Sequence, residues 1–107
     1  MREKRKARRR HLFEYFKIFD QETGSLFGEL ADITTGGIML VSDKPVEKNA
    51  VHRLRVELPE QMRHRRIHFS AECVRCRKDD YSGLFESGFR FVDIAPEDIE
   101  IIRATIL

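Results

Sequence analysis

Long apolar runs are missing from this 107-residue chain. None approaches the roughly 18–20 consecutive apolar residues that cross a bilayer, so a transmembrane helix is not expected. Cysteine is scarce, with only Cys73 and Cys76 present. Two thiols three positions apart make no disulfide framework, and the expected setting is reducing and cytoplasmic. The first ten residues are densely charged and lead into no apolar stretch, which argues against a secretory signal. Internal repeats and low-complexity linkers are also absent, and the length leaves room for one core rather than two.

What is there is a globular body with a basic front. Eight Phe residues run from Phe13 to Phe91, enough large groups to bury and too many for a disordered chain. The formal net charge of +2 conceals an asymmetry. Residues 1–10 (MREKRKARRR) carry seven Lys/Arg against one Glu, whereas the rest carries thirteen Lys/Arg against seventeen Asp/Glu. A basic arm over 1–12 thus precedes a mildly acidic body over 13–107. Such an arm either binds an anion or keeps the chain soluble. It has almost nothing to bury, and is expected to be flexible until a ligand orders it.

The body reads mainly as strands. Residues 13–20 are rich in aromatic and β-branched types, and Gln21-Glu22-Thr23-Gly24 supplies a turn into a second strand over 26–32. Residues 37–42 form a short apolar strand. Over 51–58, Leu54, Val56 and Leu58 alternate with Arg53, Arg55 and Glu57. Ile67, Phe69, Ala71 and Cys73 share one face of a fifth strand, and after Cys73 the alternation slips, which predicts a bulge or bend. Residues 79–86 read as a loop and 87–94 as a last strand with Phe89 and Phe91 inward. Pro96-Glu97-Asp98 opens a helix over 96–106, with Ile99, Ile102 and Ile106 on one face. The fold class expected is all-β: a small six-stranded antiparallel barrel, mostly hairpin-connected, with a short C-terminal α-helix. The interior of so small a barrel fills with side chains, so a ligand must sit outside or at a rim.

Two motifs carry the functional reading. Arg5-Lys6-Ala7-Arg8-Arg9 contains an RxxxR spacing just ahead of the first strand, and Asp32-Ile33-Thr34-Thr35-Gly36-Gly37 fits D-x-[S/T]-x-x-G between two strands. Taken singly, the first is an ordinary solvated charge run and the second an ordinary turn. Together, one hairpin apart and followed by Ser87-Gly88-Phe89-Arg90-Phe91, they resemble the signature of the PilZ domain, a bacterial receptor for cyclic di-GMP. The resemblance runs over the whole chain and implies a stand-alone domain of that family, with a six-stranded barrel and a terminal helix. It also implies a receptor or adaptor, not an enzyme. On binding the nucleotide, such a receptor changes the surface it shows to an unidentified partner protein. Cyclic di-GMP is then the ligand, with no cofactor and no metal.

The residues it assigns to the ligand are Arg5, Arg8, Arg9, Arg10, Asp32, Thr34, Gly36 and Gly37. The chemistry suits them. A guanidinium fork meets O6 and N7 of guanine together, and further Arg side chains suit the two phosphates. The Asp32 carboxylate can accept from guanine N1–H and the exocyclic amine. Thr34, where the family usually has Ser, offers a hydroxyl, and Gly37 allows close approach. Arg5 and Arg9 give the proper spacing; the shifted pair Lys6 and Arg10 would put a Lys where a fork is wanted.

Two alternatives stand beside this reading: a PilZ-like protein-interaction module that binds no nucleotide, and a basic-arm nucleic-acid binder on a small barrel. Asp32 argues against the second, since a carboxylate repels a phosphate backbone. Other clusters carry less. Cys73-Val74-Arg75-Cys76 is a CxxC string without the second pair that zinc requires, and on a regular strand its thiols would face opposite ways. His11, His52, His64 and His68 are scattered, and Arg63-His64-Arg65-Arg66 reads as a solvated loop.

Overall fold

A computed structural model of the protein describes residues 16–58 and 66–105. Six strands and one helix follow in order: β1 Lys17–Asp20, β2 Leu26–Ile33, β3 Gly37–Ser42, β4 Val51–Glu57, β5 Arg66–Lys78, β6 Phe85–Ile94 and α1 Pro96–Thr105. The strands close into an antiparallel barrel in the order β1-β2-β3-β6-β5-β4, with β4 pairing back onto β1. Four of the connections are hairpins. The β3–β4 connection is not, because β3 pairs with β6 and β4 with β5.

Alternation along each strand sends one set of side chains inward. Ile18, Leu30, Leu40, Leu54, Val56, Ile67, Ala71 and Cys73 are all at most 2% exposed, so the interior is packed rather than hollow. Phe69 and Phe91 meet edge to face at 5.0 Å, with Phe91 only half-buried. Ile102 of α1 is fully buried in the same core, whereas Ile99 is half-buried.

Two turns share one construction. Gly24 and Gly83 each adopt φ of 76° and donate their N–H to the carbonyl of Asp20 and Asp79, at 2.8 Å in both cases. The Asp20 carboxylate accepts from Glu22 N, and that of Asp79 from Tyr81 N.

Two strand starts differ from the sequence reading. Of 13–20, the described strand is 17–20, and residues 13–15 lie outside the described residues. The last strand starts at Phe85 rather than 87, because Phe85 and Glu86 pair with Ser42 and Val41 on one side and with Lys78 and Arg77 on the other. Glu86 reads as a loop residue but is 9% exposed, facing Arg77 at 4.0 Å. The predicted slip after Cys73 is a β-bulge, since Cys73 pairs with Phe89 and Arg75 with the next residue, Gly88. The extra residue, Val74, restores Cys76 to the inward face, so the regular-strand argument for opposed thiols does not apply.

Candidate functional site

The turn between β2 and β3 is braced from within. Thr34 N–H donates to the Gly37 carbonyl at 2.9 Å, and the Thr34 Oγ1 accepts from the N–H groups of Gly36 and Gly37 at 3.2 and 3.3 Å. The Thr34 hydroxyl thus shapes the loop before it meets any ligand, a role that Ser or Thr fills equally well. The Gly36 carbonyl accepts from Phe91 N–H at 2.9 Å, which pins the turn onto β6.

Gly37 begins β3 against β6. A Cβ at this position would overlap the Phe89 carbonyl oxygen and lie 3.0 Å from Arg90 Cα. The glycine is therefore required by strand packing, which holds the turn where it is.

Outside the barrel wall, pairing register lines up a second row. A bulge at Ala31 sets Asp32 against Met39; Met39 faces Gly88, and Gly88 faces Arg75. Asp32 is half-buried, with its Oδ1 accepting from Ile33 N at 2.9 Å. Gly88 leaves a gap in the row, and the Arg75 side chain leans over it: its Cγ and Nε stand 3.5 Å from the point a Gly88 Cβ would occupy. Asp32, Thr34, Gly36, Met39, Arg75 and Gly88 line a shallow groove of about 350 Å³. One end presents a carboxylate, the other a guanidinium that forms no ion pair among the described residues. Arg90, in the adjoining row, is already bound to Glu72 at 2.6 Å.

Asp32, Thr34, Gly36 and Gly37 thus fall together at one groove. Arg5, Arg8, Arg9 and Arg10 lie outside the described residues. Sequence reasoning missed Arg75 and Gly88. Part of the signal was available: one extra residue after Cys73 turns Arg75 outward, but that it faces Gly88 is set by the strand register. The CxxC pair makes no metal cluster, for no group of three His, Cys, Asp or Glu is suitably placed among the described residues. Burial pushes the Cys73 thiol up from its ordinary value, which keeps it protonated and a poor nucleophile. No helix among the described residues is long and apolar enough to cross a membrane.

Residues 3–107 match the family model of the PilZ domain, and the chain belongs to that family. Two solved structures share its fold. The Bacillus subtilis inhibitor of motility (MotI/DgrA) superposes with a TM-score of 0.68 at 24% identity, over 85% of this chain and 44% of that one. The PilZ domain of YcgR from Escherichia coli, determined with c-di-GMP, superposes with a TM-score of 0.64 at 19% identity, over 86% of this chain and 77% of that one. This chain thus spans less than half the length of the first. No curated protein matches it significantly.

Proposed function

We propose that this chain is a cyclic di-GMP receptor that signals through a partner protein. The observation that carries the reading is the groove itself. It places the 32–37 turn and the Asp32 carboxylate in line with Gly88 and with the Arg75 guanidinium that leans over it and forms no ion pair among the described residues. Family membership and the ligand in the Escherichia coli structure support the same choice.

In this reading Asp32 accepts hydrogen bonds from the N1–H and exocyclic amine of one guanine. Gly88 carries no side chain to bar the nucleotide, and Arg75 swings from over it to meet a phosphate or the face of a base. Arg5 and Arg9 bring the guanidinium forks to O6 and N7, with Arg8 and Arg10 on the phosphates. No bond is made or broken, in keeping with a family of receptor and adaptor modules rather than enzymes. Ordering of the 1–12 arm over the groove changes the surface offered to the partner.

The test is a calorimetric titration of the full chain with cyclic di-GMP and, separately, cyclic di-AMP. Adenine has a donor where guanine has O6 and lacks the N1–H, so the expected result is saturable binding of the first and much weaker binding of the second. Equal affinities would remove Asp32 and the forks from their roles. No heat from either would leave the PilZ scaffold as an interaction module.

A further inference from the structure

The barrel has a second opening. β2 runs from Leu26 to Ile33, so its start lies roughly 20 Å from the 32–37 turn. There the strand ends border a half-open pocket of about 760 Å³, within the usual range of roughly 300–1,000 Å³ for small-molecule sites.

Two rings, Phe27 and His52, stand in its wall, and the backbone is arranged to put Phe27 there. In the β1–β2 ladder Ile18 pairs with Gly28 and Phe19 with Leu26, so Phe27 is the skipped residue of a bulge. The bulge turns Phe27 into the mouth, where its ring stands 4.9 Å from His52 and 6.2 Å from Phe89. His52 meets the same Phe89 ring at 6.3 Å. Bulges at barrel rims commonly re-aim a side chain in this way. Behind Phe27, Gly28 is buried with no room for a side chain, since a Cβ would come within 2.7 Å of the Val41 carbonyl. Phe27 and His52 remain only half-buried, and Leu26 on the rim is 56% exposed.

Charge at this mouth is mainly negative. Among the described residues, Asp43, Glu47 and Glu29 line it, against Lys44 alone. Glu29 is held by Lys17 at 3.7 Å, while Asp43 and Glu47 form no ion pair among the described residues. Aromatic faces attract a cation through their negative π-clouds, and unpaired carboxylates add to that attraction. A dianionic nucleotide would meet repulsion here.

We propose that the mouth lined by Phe27, His52, Asp43 and Glu47 is a second ligand site, for a small organic cation with an apolar body. The apolar body lies against Phe27, His52 and Leu26 while the cationic head faces Asp43 and Glu47. The site is separate from the groove and stands whether or not cyclic di-GMP binds.

The test is a titration of the full chain with benzyltrimethylammonium, followed by nitrogen–proton correlation NMR, with benzoate as the ring-bearing anion. Saturable shifts are expected at Phe27, Val46, Ala50 and His52, with the 32–37 amides still. Benzoate should bind on the order of tenfold more weakly or not at all. Leu26→Lys, a change at an exposed rim position, should weaken the cation by a similar factor at unchanged melting temperature. Glu47→Gln provides a second variant should Leu26→Lys perturb the fold. Absence of saturation, equal binding of benzoate, shifts centred elsewhere, or a folded Leu26→Lys and Glu47→Gln pair with unaltered affinity would each overturn the proposal.

Discussion

Gly37 of β3 and Phe89 of β6 approach so closely that no side chain fits between them; even a methyl group on Gly37 would overlap the Phe89 carbonyl oxygen. That contact seats the 32–37 turn, because Gly36 hydrogen-bonds to Phe91 N–H two residues further along β6. The glycine of the motif thus holds the turn through the wall behind it.

Gly37→Ala should therefore cost stability before it costs affinity. Relieving the overlap means parting β3 from β6, a loss on the order of 1–3 kcal/mol or more. Thermal unfolding measures it. Gly36→Ala, at a position where a Cβ meets nothing closer than the Thr34 Oγ1 at 3.9 Å, should be far milder. Equal melting temperatures for both variants would show that the strand contact does not govern the turn.

Arg75→Ala should weaken cyclic di-GMP and leave the fold alone. Its guanidinium is exposed and without an ion-pair partner among the described residues, so little stability is lost. A charge-assisted contact to the ligand is worth about 1.5–3 kcal/mol, or roughly ten- to a hundredfold in affinity. Arg53→Ala, an exposed β4 position across the barrel, is the control and should change affinity little. Matched losses in the two variants would reduce Arg75 to background charge.

Asp32→Asn tests base reading. The amide oxygen can still accept one guanine hydrogen bond, but the charge is gone and an amide donor replaces the second acceptor. Affinity for cyclic di-GMP should fall, and the preference over cyclic di-AMP should narrow. Calorimetry on both ligands reads the ratio; an unchanged ratio would take specificity away from Asp32.

Cys73 gives a pH signature. Burial raises its thiol above the ordinary 9.0, so the folded protein holds that proton more tightly than the unfolded chain. The contribution is fully present below pH 9.0 and is lost as the pH rises through the higher folded value. Denaturant unfolding should show stability falling from pH 9.0 upward until the folded thiol also ionises, and Cys73→Ala, though less stable throughout, should flatten the fall. Alkylation of native protein should reach half-buried Cys76 first, with Cys73 protected until unfolding. Equal labelling rates would contradict the burial.

Much of the fold was legible because this barrel's strands alternate in and out. Ile67-His68-Phe69-Ser70-Ala71-Glu72-Cys73 states its face at every step, and the slip at Val74 marks the bulge. The Phe85-Glu86 start of β6 was not legible, since a carboxylate in a nearly closed site beside Arg77 leaves no local trace. The 32–37 turn could be read as a motif. The Asp32–Met39–Gly88–Arg75 row could not, because it joins four strands through registers and two bulges that only the closed barrel sets.

Everything proposed for the ligand depends on cyclic di-GMP occupying this row. Nitrogen–proton correlation NMR of the full chain, recorded through a titration with cyclic di-GMP, tests it most directly. The largest shifts are expected on Asp32, Gly36, Gly37, Arg75 and Gly88, joined by the amides of Arg5 to Arg10, with the Phe27 and His52 mouth nearly unchanged. Saturable binding that shifts the mouth or the outer face of β1 and β4, and leaves Gly37, Arg75 and Gly88 in place, would contradict it.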